Sequence, residues 1–130
     1  MIDIKAEILG LNKVAEKIQQ ANASKGFWDK PRNIGELLML VTSELGEAME
    51  SHRHSKFADL DNFERTSNED DEWFKKNFEE NIKDTFQDEI ADTIIRLLDM
   101  AGGLGIDLEK HIINKVRYNS LRPRLHGKKY

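Results

Sequence analysis

Two pairs of carboxylates stand at a spacing that chemistry can use, Glu44 with Glu47 and Glu89 with Asp92. The members of each pair are three residues apart, so on a helix they project from adjacent turns of one face. Two such helices facing each other bring four oxygen-bearing groups together. Oxygen-only ligands suit magnesium, a hard cation that keeps several waters and is commonly shared between protein carboxylates and substrate phosphates. Glu44 carries the firmest argument. At about 100° per residue it falls between Leu37 and Leu40, within the stripe made by Val41 and Ala48, where a carboxylate is partly desolvated and needs a cation or a donor. Glu89 lies at the border of the Phe86, Ile90 and Leu97 stripe, and Asp92 projects further toward the polar side. Glu47, nearer the rim of its stripe than Glu44, is the choice for orienting and deprotonating a water. The competing reading of either pair is a solvated helix face, common in a chain with 34% charged residues.

A second set is cationic. Lys115, Asn119 and Arg122 follow one another at spacings of four and three, close to one face at the end of a helix, where they can reach phosphate oxygens together. Against this, basic residues also stabilise a helix C-terminus. Lys128 and Lys129 belong to the basic tail RPRLHGKKY, and terminal basic residues are commonly just solvated. His52 and His54 form an HxH pair with no third histidine or cysteine nearby, so surface positions are expected rather than a zinc site. The chain has no ExxH of the ferritin-like di-iron bundles, no GxxxxGK[ST] phosphate loop and no nucleophile elbow.

These residues need helices to position them. Ile4, Ile8, Leu11, Ala15 and Ile18 recur at spacings of three and four and predict a first helix from about Asp3 to about Asn22. After the break SKGFWDKPRN, Asn33 with Glu36 resembles a capping box, and Ile34, Leu37, Leu38, Val41, Leu45 and Ala48 are expected to form the buried face of a second helix reaching about Arg53. Residues 54–81 are dominated by Asp, Glu, Lys and Asn and read as a charged connection or insertion; its aromatics argue against complete disorder, and the part from Asp71 onward is expected to be helical. Phe86, Ile90, Ile94, Leu97 and Ala101 predict a third core helix that stops at Gly102 and Gly103. Asp107 caps a fourth, carried by Leu108, Ile112, Ile113 and Val116 to about Asn119, and Pro123 prevents much continuation.

The expected architecture is all-α, a four- or five-helix antiparallel bundle in a single domain over residues 1–130. Few glycines and prolines and many charges suit amphipathic helices better than sheets. Strong stripes on helices too few to cover one another predict a homodimer or a dimer of dimers. A net charge of -4 with a pI near 5.6 removes the electrostatic case for binding nucleic acid polymers or anionic membranes. The chain contains no cysteine, no basic start followed by an apolar run and no membrane-length apolar stretch, which together lead to the expectation of a soluble cytoplasmic protein.

The run PRNIGELLMLVTSELGEAMESHR, then DEIADTIIRLLDMAGGLGIDL, then KVRYNSLRPRLHGKKY resembles the MazG-like nucleoside triphosphate pyrophosphohydrolases and the related all-α dCTP pyrophosphatases. The resemblance covers about three quarters of the chain and rests on the order ExxE, ExxD, KxxxNxxR and HGKKY. It implies that Glu44, Glu47, Glu89 and Asp92 bind magnesium and that Lys115, Asn119, Arg122 and Lys128 contact a triphosphate. It further implies cleavage between the α and β phosphates, releasing a nucleoside monophosphate and pyrophosphate. The dCTP-type relatives place an aromatic for base stacking near Phe27 and Trp28, which makes Trp28 a candidate for base or sugar contact; ordinary packing is its competitor. Many members carry a further glutamate where this chain has Ser43, and the connection between the acidic motifs is longer and more charged here than in compact members. Two other readings stand beside this one: a non-catalytic helical interaction module, and a same-fold enzyme acting on a phosphoribosyl-ATP-type substrate.

Overall fold

The computed structural model describes residues 2–130, and among them every regular element is helical. Six α-helices follow in order, α1 (Leu11–Ser24), α2 (Ile34–Arg53), α3 (Leu60–Arg65), α4 (Asp71–Asn81), α5 (Phe86–Leu104) and α6 (Leu108–Ser120), with a short 3-10 turn over Arg124–Gly127. The all-α expectation holds; α4 falls where the chain from Asp71 onward is expected to be helical, and α3 is the one helix beyond the four or five expected. No helix among the described residues is long and apolar enough to cross a membrane.

The chain divides into two compact units, one of residues 31–97 and one combining residues 1–30 with 98–130. In the first, α2 begins where Asn33 Oδ1 accepts a hydrogen bond from the Glu36 amide at 3.0 Å, and it buries Leu37, Val41 and Ala48 at spacings of four and seven, whereas Ile34, Leu38 and Leu45 of the expected buried face lie to one side of that stripe and are exposed. The connection is tied down by polar groups rather than by a large apolar core. Asn77, 2% exposed, donates to the Phe63 carbonyl and accepts from Thr66 and Asn81, which joins α3 to α4. Phe63, Phe74 and Phe78 gather beside it with ring centroids about 6 Å apart, and the Trp73 indole donates to the Thr66 carbonyl. The turn leading into α5 is fixed by the Phe86 amide on the Lys56 carbonyl and by Ser51 on the Asp84 carbonyl. These bonds hold the start of α5 against the end of α2, as His52, Phe57 and Phe86 also do through edge-to-face ring contacts.

In the second unit α1 packs against α6. Asn12 joins them by donating from its backbone to Glu109 and from its side chain to Asp107, while its own oxygen accepts from the Glu109 amide. Asp107 caps α6 as expected, accepting from the Lys110 amide at 3.1 Å. Two boundaries differ from the sequence expectation. The first helix starts at Leu11, not near Asp3, because Gly10 has φ 96°, a left-handed geometry that interrupts the ladder. Ile4 keeps the apolar rhythm for another reason: residues 2–5 line a cleft with Ile113, Asn114 and Arg117 of α6.

The other difference is at Gly102 and Gly103, which do not end α5 but lie inside it; the stop comes at Gly105, with φ 68°. Their missing side chains serve packing. A Cβ at Gly102 would stand 2.6 Å from the Ala15 carbonyl oxygen of α1, and one at Gly103 would overlap the Trp28 ring. Glycine at this place permits close approach, not a turn.

Candidate metal centre

The helix phase that submerges Val41 and Ala48 also carries Glu44 inward, and Glu44 is 7% exposed. On α5 the expected phase does not hold, because Ile90, Ile94 and Leu97 of the predicted core stripe are exposed and the polar face beside them turns inward. Glu89, expected at the border of its stripe, is 3% exposed, one turn before Thr93, whose hydroxyl bonds to the Glu89 carbonyl. Glu47 stays exposed, one turn along α2 from Glu44. Glu44, Glu47 and Glu89 each place a carboxylate oxygen so that all three lie within 4.8 Å of one another. Asp92 is half-buried and stands outside this set of three, close enough that the charges of Glu44 and Glu47 act on it.

The electrostatics of the group are unequal. Burial pushes the Glu89 carboxyl up, and its hydrogen bonding and repulsion with Glu44 and Glu47 push it further, to about 7. Burial pushes Glu44 up as well, but the hydrogen bond and charge of Arg96, with the hydrogen bond to Glu89, outweigh burial and leave Glu44 below the ordinary carboxylate value. Asp92 is raised by burial first and by the charges of Asp88 and Glu44 next. Arg96 is the residue that sequence reasoning missed: its Nε donates to Glu44 Oε1 at 2.6 Å. It lies seven residues after Glu89, two turns along the same face of α5, so helical spacing alone was enough to find it.

Whether a divalent cation fits these residues can be judged from one atom. Glu89 Oε2 is buried and has no hydrogen-bond partner, an arrangement that is costly for a carboxylate unless a proton or a cation completes it. The donors are oxygens only, which is the ligand set of magnesium rather than zinc. The group therefore fits.

The basic candidates lie in the other unit. Lys115 Nζ stands 5.1 Å from the centre of the Tyr118 ring and the Arg122 guanidinium 5.7 Å from it, so an exposed aromatic gathers both cations. Arg122 also donates to the His126 carbonyl. Asn119 is half-buried, and its Oδ1 is the other buried side-chain atom among the described residues without a partner. Lys128 is exposed. Trp28 is half-buried, with its indole N–H on the buried carboxylate of Asp99 at 2.9 Å and its ring over Gly103. The structure thus displays a packing role for Trp28. His52 and His54 are exposed, as expected for surface residues.

No protein-family model, no curated protein and no solved structure matches the chain.

Proposed function

We propose that the protein is a magnesium-dependent nucleoside triphosphate pyrophosphohydrolase, with Glu44, Glu47 and Glu89 holding the cation and Asp92 at its edge. The observation that carries the reading is the convergence of the three carboxylates around Glu89 Oε2, a buried oxygen with no partner. The resemblance of the acidic and basic motifs to MazG-like enzymes supports it, and supplies the α–β phosphoanhydride as the bond cleaved.

Hydrolysis of that bond needs charge neutralisation, an in-line water and little covalent work from the protein. Magnesium, when bound, supplies the neutralisation. Glu47 is the exposed member of the three and takes the proton from the attacking water. One phosphorus–oxygen bond forms to that water and the bond to the bridging oxygen breaks, giving a nucleoside monophosphate and pyrophosphate. The resemblance assigns Lys115, Asn119, Arg122 and Lys128 to phosphate oxygens and Trp28 to base or sugar.

The active species is proposed to be a homodimer or a dimer of dimers. Beyond the buried stripe, α2 has a second one: Ile34, Leu38, Leu45 and Met49 lie within about 60° of one another around the helix. They are nonetheless 52%, 48%, 49% and 59% exposed. Ile90, Ile94 and Leu97 do the same on α5, at 36%, 52% and 41%. A second copy is the occupant these stripes suit.

The reading is tested by incubating the protein with each ribo- and deoxyribonucleoside triphosphate and magnesium, scoring monophosphate and pyrophosphate. Magnesium-dependent pyrophosphate release supports it. Orthophosphate release, or no turnover of any nucleotide, sinks it and leaves the interaction-module reading.

A further inference from the structure

Arg96 of α5 reaches Glu44 of α2 in an ion pair between residues 52 positions apart, whereas pairs such as Lys13 with Glu16 or Arg53 with Glu50 join neighbours on one helix. The long-range pair falls on the acidic cluster. Its geometry is that of a strong, charge-assisted hydrogen bond, 2.6 Å from Nε to Oε1. The two partners differ in surroundings. The Glu44 side chain is 9% exposed and fixed within its helix stripe, whereas the Arg96 side chain is 40% exposed and has open solvent beside it. Three carboxylates with oxygens within 4.8 Å of one another, Glu44 and Glu89 buried and Glu47 exposed, repel one another unless positive charge stands beside them. Arg96 supplies one such charge to Glu44 and leaves Glu89 Oε2 without a partner.

We infer that Arg96 is the resident counter-cation of the cluster, a positioning residue whose hydrogen bond holds the Glu44 carboxylate in place while no divalent cation is bound and which competes with the cation for Glu44 Oε1. The inference rests on the magnesium reading given above and adds to it a built-in competitor that lowers metal affinity and preserves the fold between binding events. Removing the positive charge takes away a repulsion between Arg96 and the incoming cation over a few ångströms of low-dielectric space, an effect large enough for a change of about tenfold or more in affinity.

The test is calorimetric titration of Mg2+ into wild type, Arg96→Gln, Arg96→Met and Arg96→Lys, with metal-free melts of each and Glu89→Gln as the cluster control. Arg96→Gln and Arg96→Met are expected to bind Mg2+ about tenfold or more tighter and to melt lower than wild type without metal, while Arg96→Lys restores both values toward wild type. Equal or weaker Mg2+ affinity in the neutral variants overturns the inference while the magnesium reading stands, provided wild type binds and Glu89→Gln does not. If wild type binds no Mg2+, both fall. A measurement on unaltered protein guards against a variant that fails to fold: the Arg96 Nε–H, slow to exchange when held on Glu44, should lose that protection as Mg2+ is added. Unchanged protection at saturation contradicts the competition.

Discussion

Glu89 and Glu44, one on α5 and one on α2, pull each other's proton affinity in opposite directions, Glu89 up to about 7 and Glu44 below the ordinary value. Glu44 has the Arg96 guanidinium and Glu89 does not. A divalent cation bound at Glu89 therefore competes with protons there, and more so as pH falls below about 7.

Titration of Glu89 gives a pH dependence with a definite sign. A carboxyl raised in the folded state from 4.5 to about 7 contributes stability that is fully present below pH 4.5 and is lost as pH rises through about 7. Metal-free wild type should therefore lose melting temperature relative to Glu89→Gln between pH 5 and pH 7.5, as read by paired thermal melts. Curves that stay parallel across that window would show that Glu89 is not perturbed.

The glycines inside α5 make a prediction independent of function. Gly102→Ala forces a methyl against the Ala15 carbonyl and Gly103→Ala forces one into the Trp28 ring, each costing about 1–3 kcal/mol of stability by overpacking. Replacing Gly105 by Asn, which tolerates a left-handed φ, should cost less. Denaturant midpoints for the three variants rank them. A smaller loss at Gly102 than at Gly105 would restore the turn as the reason for the first glycine.

Arg122 makes one cation–π contact at an exposed ring and one hydrogen bond, contacts worth about 1 kcal/mol each at such a position. Arg122→Ala should raise the KM for a nucleoside triphosphate by about tenfold or more while moving the melting temperature by only a few degrees. Losses of the same free energy in both would assign Arg122 to holding the tail.

The uncovered stripes predict assembly. Light scattering at micromolar concentration should give a mass of two or four chains, and Leu45→Lys, placing a charge in the α2 stripe, should yield monomer with its helical signal intact. A monomeric wild type would remove the oligomer from the account.

Much of this was legible in the sequence where one local rule sufficed. The caps at Asn33 and Asp107, the extent of α2 and the submersion of Glu44 all follow from periodicity and side-chain chemistry. What escaped was tertiary. Gly102 and Gly103 carry the signature of a helix stop, and only the approach of Ala15 and Trp28 reveals why they are there. The 54–81 segment is organised by Asn77, a polar residue whose burial no apolar pattern announces. Glu89 is more deeply buried than its place on the stripe suggested, and Asp92, expected further toward the polar side, stands outside the set of three.

The central claim is that the three carboxylates bind magnesium, and the most direct measurement is the melting temperature with and without Mg2+ in wild type and in Glu89→Gln at neutral pH. Wild type should gain on the order of 10 °C at a hundredfold excess over the dissociation constant. Glu89→Gln should gain little. No Mg2+ stabilisation of wild type, or an equal gain in the variant, would mean that the cluster does not hold the cation.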